Sequence, residues 1–92
     1  MIVKLFAGFR QAVGTSQIEV SVRPGDTVRN VLRQVVDRHP ALGGEVFDAE
    51  GNLRQFVGVF ISGRELENAE RLDAHVGDGD EIALMPPIAG GG

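Results

Sequence analysis

Residues 78–92 read DGDEIALMPPIAGGG, and three kinds of local chemistry follow one another along them. Asp78-Gly79-Asp80 has the composition of a turn. Glu81–Met85 then alternates, which predicts a strand with Ile82 and Leu84 turned inward and Ala83 and Met85 outward. Pro86 and Pro87 fix φ and stiffen the exit, so that the residues after them project from the domain. Ile88-Ala89-Gly90-Gly91-Gly92 ends the chain with side chains that shrink to nothing. Glycine has no Cβ, and a second protein can thread such a segment through a narrow channel to bring the α-carboxylate to a reactive centre. Fully extended, the residues from Pro86 onward reach about 23 Å. The expected working atom is therefore the last carbon. The plainer reading, a glycine-rich chain end with no task, is the alternative.

Working outward from that strand, residues 1 to 7 alternate in the same way, with Ile2, Lys4 and Phe6 on one side and Val3, Leu5 and Ala7 on the other. Gly8 to Ser16 reads as a turn region, and Ile18, Val20 and Val22 mark a half-buried strand that closes a hairpin. Pro24-Gly25-Asp26 interrupts it. Thr27 is placed as the N-cap of a helix running to about Arg38, along which Val28, Val31, Leu32, Val35, Val36 and His39 form one stripe. Four valines give that helix modest intrinsic propensity, so it depends on packing. Pro40 marks its exit, and Gly43-Gly44 and Asp48 to Asn52 read as loop around a short apolar piece, Val46-Phe47. Phe56 to Ile61 is an unbroken apolar run of strand length, bounded by Ser62-Gly63 and leading to Leu66. Leu72 and Val76 are expected to plug the sheet's edge. The order strand, strand, helix, strand, short strand, strand gives an α+β fold with one helix laid across a sheet.

With 92 residues, 42% of them hydrophobic and 24% charged, the chain makes one small domain. It carries no apolar tract long enough to span a membrane and no leader-like segment, which places it in the cytoplasm by expectation. There is no cysteine, so any sulfur chemistry takes its sulfur from a partner. The net charge is −4 and the basic residues are scattered, which argues against nucleic acid or an anionic membrane as ligand. Eight of the nine basic residues are arginines, leaving Lys4 and the N-terminal amine as the only primary amines at which this chain can itself be acylated.

Catalytic candidates are few. His39 sits where a helix C-terminus favours a cation, a capping role. His75 with Asp73, Asp78 and Asp80 lacks the Asp-x-Asp-x-Asp-Gly spacing of a calcium loop and reads as a solvated acidic turn. Gly77-x-Gly79 precedes a strand and has no third glycine, and no Walker A sequence is present. No metal site is expected, no residue of this chain is expected to be catalytic, and ATP activation falls to another protein.

Met1 to Phe6 followed by Ala7-Gly8-Phe9-Arg10, then Pro24-Gly25-Asp26-Thr27-Val28, His39-Pro40-Ala41-Leu42, and above all Asp78-Gly79-Asp80-Glu81-Ile82 running into Pro86-Pro87-Ile88-Ala89-Gly90-Gly91 resemble the MoaD/ThiS family. These are ubiquitin-like sulfur carriers, among them the small subunit of molybdopterin synthase and the archaeal small modifiers. The resemblance spans the chain. It implies a β-grasp fold with a mixed four- to five-stranded sheet over residues 1–87 and a flexible reactive tail over 88–92. It also implies a division of labour in which the chain binds no cofactor. A partner adenylates the terminal carboxylate with ATP and magnesium, and a sulfur donor protein converts it to a thiocarboxylate. The implied partners are that adenylating enzyme, the sulfur donor, a molybdopterin synthase large subunit and, in the modifier case, lysines of target proteins.

The resemblance assigns the reactive carboxylate to Gly92 or Gly91 and threading to Gly90, Ala89 and Ile88. The family ends in Gly-Gly, whereas this chain continues to Gly92, and three readings stay open: direct use of Gly92, trimming to Gly91, or an appended residue. Partner docking is expected at Phe6, Phe60, Ala83, Met85, Pro86 and Pro87. Alternation places Phe6, Ala83 and Met85 on the face opposite the core, and Phe60 joins them if Val57, Val59 and Ile61 point inward. Three function classes follow: a sulfur carrier, foremost for molybdopterin biosynthesis; a protein modifier joined through its terminal glycine to lysines; and a noncovalent ubiquitin-like binding module.

Overall fold

In the computed structural model, which describes residues 1–67 and 70–86, the first strand ends up inside the sheet, with a neighbour on either side. β1 (Ile2–Leu5) pairs antiparallel with β2 (Gln17–Glu19), closing the hairpin read from the sequence. Between them the segment expected as a turn is helical: α1 covers Ala7–Val13. Phe9 and Val13, four residues apart, face the core, with Phe9 buried, and Gly14 at φ 88° ends the helix by donating its N–H to the Arg10 carbonyl at 2.8 Å. Two large apolar residues over seven are too short a run to announce a helix by periodicity.

α2 (Val28–Arg38) matches the expected helix in both bounds. Asn30 caps it, its Oδ1 accepting from the Thr27 N–H at 2.8 Å and from the Thr27 hydroxyl at 3.1 Å. Val28, Val31, Leu32 and Val35 are fully buried in one cluster with the sheet's inner face, and Val36 is half-buried. His39 is the C-cap, its N–H bound to the Val35 carbonyl. A 3-10 turn at Pro40–Leu42 follows and runs into α3 (Gly43–Val46). Gly43 and Gly44 are thus helical rather than loop, because Leu42 and Val46, both fully buried, pull this turn onto the core. Asp48 Oδ1 closes the following loop, accepting from the N–H groups of Glu50 and Asn52.

The apolar run after it is a strand only from Gly58: β3 is Gly58–Ile61, and Phe56 stands in the turn before it, 72% exposed. Ser62 (φ 46°) and Gly63 (φ 87°) form a two-residue hairpin of the primed kind into β4 (Arg64–Glu65). α4 (Glu70–Asp73) packs beside α2, and its Leu72, with Val76, is buried in the common core. β5 (Glu81–Met85) then enters between the oldest and the newest pairs, parallel to β1 and antiparallel to β3. Among the described residues the sheet has five strands in the order β2-β1-β5-β3-β4. Val3, Leu5, Val59, Ile82 and Leu84 line its inner face, each at most 1% exposed, and among the described residues no buried residue is polar or charged.

Candidate functional site: the outer face of the sheet

The strand register fixes which side chains share the outer face. Gln17, Lys4, Ala83, Phe60 and Glu65 lie in one row that crosses all five strands, since Lys4 is opposite both Gln17 and Ala83, and Phe60 is opposite both Ala83 and Glu65. One step toward the end of β5, Met85 lies opposite Gly58. Phe6, the residue after β1, continues that strand's outward parity, and both it and Met85 are exposed. The alternation read from the sequence therefore brings Phe6, Phe60, Ala83 and Met85 onto one face, with Phe60 and Ala83 half-buried. Val57 and Val59 are buried inward as that reading required, and Ile61 is half-buried against the core.

Local structure holds these side chains in place. Phe6 is the N-cap of α1, extended at φ −125°, with its carbonyl accepting from the Phe9 N–H at 3.1 Å, and the chain bends out of β1 at Ala7 (φ 48°). Gly58 makes room for its neighbours: a Cβ there would lie 3.3 Å from Met85 Cβ and 3.3 Å from Phe60 Cε1. The Phe60 ring thus leans back over the glycine, and the ring and Met85 form a continuous apolar surface. Lys4 Nζ stands 3.4 Å from Glu81 Oε2, which draws it along β5. Pro86 is half-buried just beyond Met85. Pro87, Ile88, Ala89, Gly90, Gly91 and Gly92, and with them the expected boundary between domain and tail at 87/88, lie outside the described residues.

One side chain of this region was missed by the sequence reading. Phe56 was expected at the head of a buried strand, yet it is exposed beside a cleft of about 430 Å³ lined by Gly58, Glu65, Leu66, Glu67 and Arg71. Parity was the available signal: Phe56, Gly58 and Phe60 are all even, so the alternation that sets Phe60 outward sets Phe56 outward too. Arg71 closes the inner wall of that cleft. Its guanidinium donates to the carbonyls of Arg54 (2.9 Å), Gln55 (3.3 Å) and Val57, where the two-residue β4 leaves β3 uncovered. Burial pushes its pKa below the ordinary value, opposed by the charge of Glu65.

The acidic cluster around His75 serves the backbone. Asp80 accepts from the Gly77 N–H at 2.9 Å and from the Ser62 hydroxyl at 3.2 Å, Asp73 pairs with Arg29 at 3.2 Å, and His75 forms an isolated bridge with Thr27. Among the described residues no group of three or more His, Asp or Glu side chains is arranged to hold a metal, and no helix is long and apolar enough to cross a membrane. The outer face offers apolar contact area and the Lys4–Glu81 ion pair, features suited to recognition.

The comparisons fit that geometry. The profile of the ThiS family matches residues 3–91. Small archaeal modifier protein 3 of Haloferax volcanii is 33% identical over 97% of this chain and 96% of its own length. The crystal structure of small archaeal modifier protein 1 from the same organism superposes with a TM-score of 0.88 at 34% identity, covering 97% of this chain and 96% of that one. The molybdopterin synthase sulfur carrier subunit of Mycobacterium tuberculosis is 30% identical over 97% of this chain and 94% of its own length. These relatives are carriers and modifiers rather than catalysts, and the parallel β1–β5 pairing with α2 against the inner face is their β-grasp architecture. The chain belongs to the ThiS family, the ubiquitin-like sulfur carriers and modifiers.

Proposed function

We propose that this protein carries sulfur on its C-terminal glycine as a thiocarboxylate, with the folded body through residue 87 as the handle and residues 88–92 as the reactive arm, and that the sulfur goes to molybdopterin synthesis. A carboxylate is a poor electrophile. A partner enzyme makes it reactive by forming an acyl adenylate from magnesium-bound ATP with release of pyrophosphate; a persulfide on the sulfur donor protein then displaces AMP, and a second thiol of a partner reduces the resulting acyl disulfide, leaving the thiocarboxylate and a protein disulfide. The observation that carries this reading is that face and arm share one strand: β5 presents Ala83 and Met85 to a partner and leads directly to the glycines. An enzyme docked on Phe6, Phe60, Ala83, Met85, Pro86 and Pro87 holds the arm's root at a fixed distance from its reactive centre, and such positioning supplies much of the rate. The molybdopterin destination is supported by the 30% identity to a molybdopterin synthase sulfur carrier subunit, and a synthase large subunit is then the acceptor.

Conjugation to lysines of other proteins is the second reading, favoured by the likeness to the archaeal modifier. The two share the activation step and differ in product. Intact mass of the protein purified from its own cells, before and after a thiol-reactive alkylating reagent, tests the carrier reading. The expected result is a mass gain matching sulfur in place of one oxygen, on a species that alkylates although the chain has no cysteine. An unmodified mass together with larger conjugates bearing a terminal-glycine remnant on lysine would replace it with the modifier reading, and the same spectrum decides between Gly91 and Gly92. Deleting Gly91 and Gly92 is expected to abolish transfer. A protein that shows no transfer with its glycines intact and keeps its partner binding after the deletion would remove both readings in favour of a noncovalent module.

A further inference from the structure

β4 has only two residues, but its pairing with β3 runs on, because the Leu66 N–H donates to the Val59 carbonyl at 2.9 Å. Leu66 is buried, so alternation turns Glu65 and Glu67 to the outer face, where Glu65 lies opposite Phe60. Gly58, flanked by Met85 and the Phe60 ring, has no side chain to fill the space toward these carboxylates. Gly58, Glu65, Glu67 and Phe56 all line the cleft of about 430 Å³, which therefore opens onto the face that holds Met85 and Phe60. Two carboxylates and one guanidinium line it, and that guanidinium, Arg71, is engaged by the carbonyls of Arg54, Gln55 and Val57. Among the described residues neither Glu65 nor Glu67 is in an ion pair. Phe56 beside them is more exposed than any other large apolar side chain among the described residues. An open ring face next to unpaired carboxylates complements the planar guanidinium of arginine, which stacks on the ring and gives paired N–H donors to a carboxylate.

We propose that the docking surface continues past β3 into this cleft, and that the adenylating enzyme fills it with an arginine stacked on Phe56 and paired with the carboxylates of Glu65 and Glu67. The inference rests on the docking assignment proposed above and adds a charged anchor to its apolar contacts. The anchor has a geometric consequence. In the strand order β1-β5-β3, Phe6 follows β1 and Phe56 precedes β3, so β5 runs between the two contacts on its way to the glycines. Contacts on both sides of a strand fix its direction as well as its position, and the arm is aimed at the reactive centre rather than merely tethered near it. The charged anchor also sorts partners. A protein that covers the cleft without supplying a cation leaves two carboxylates desolvated and unpaired, a cost that the cognate enzyme does not bear.

The test uses the whole protein and the adenylating enzyme from the same cells. In calorimetry at low salt, Glu65→Gln combined with Glu67→Gln should bind the enzyme about tenfold more weakly, and the salt dependence of binding should shrink relative to the unmodified protein. Phe56→Ala should weaken binding by a similar factor, with circular dichroism confirming that each variant is folded. A second measurement locates the partner group. Phe56→p-benzoylphenylalanine, irradiated in the complex, should link to an enzyme peptide that contains an arginine. Unchanged affinity and salt dependence in the doubly substituted protein, or links only to peptides without arginine, would overturn the proposal. ATP–pyrophosphate exchange with magnesium on the unmodified protein separates the two layers. Exchange together with unaffected variants removes this inference alone, whereas no exchange removes the activation reading and this inference with it.

Discussion

Met85 and Phe6 hold large apolar side chains in water at the end of the sheet where β5 leads to the glycines. Neither belongs to the core, so replacing either with glutamate is expected to change stability by no more than about 0.5 kcal/mol. The same changes place a charge where a partner would bury apolar surface. Phe6→Glu or Met85→Glu should therefore weaken binding to the adenylating enzyme in calorimetry while the melting temperature holds, and unchanged affinity in both variants would sink the docking assignment. Gly58 tests the same surface from beneath. In Gly58→Val the new side chain must displace the Phe60 ring or Met85, both already 3.3 Å from the position of a Cβ, an overpacking cost of about 1–3 kcal/mol read by denaturant unfolding. Most of this face was legible in the sequence, because alternation is a property of the extended backbone and needs no tertiary knowledge: Phe6, Phe60, Ala83 and Met85 all stand where parity put them. Phe56 was misread because a run of apolar residues looks buried when counted, although its parity pointed outward.

The elements differ in how much of their stability is their own. α2 announces itself by a stripe of buried valines and a leucine, and the reciprocal contacts of Thr27 and Asn30 start it in register. Asn30→Ala removes the acceptor of the Thr27 N–H and is expected to cost about 0.5–2 kcal/mol in urea unfolding. α1 is the opposite case. Seven residues cannot hold a helix in water, and what holds this one is Phe9 in the core and Gly14 at its end. Phe9→Ala should cost about 3–5 kcal/mol, more than any change on the outer face, with the loss visible in the same assay. The contrast explains why α2 was readable and α1 and α3 were not. A three-turn stripe is written in the local sequence, whereas a single buried Phe9, or Leu42 and Val46 flanking two glycines, is helical only because the rest of the protein receives it.

For the molecule as a whole, the decisive contact is between its two most distant strands. β5 lies between β1 and β3 and supplies Ile82 and Leu84 to the inner face, so a chain ending before Glu81 leaves Val3, Leu5 and Val59 with an open flank. Such a truncation is expected to show no cooperative thermal transition, while removal of Gly91 and Gly92 leaves the transition where it was. The sequence alone does not specify the pairing of first with last strand, since nothing local in either strand fixes a neighbour so far along the chain. The sheet's margins carry a different consequence. β2 has three residues and β4 two, and beyond β4 the carbonyls of Arg54, Gln55 and Val57 are taken by Arg71. A stray strand arriving at either margin finds almost no ladder to extend. Crowded together at high concentration, copies of this protein meet at margins that, among the described residues, offer little template for stacking into fibrils.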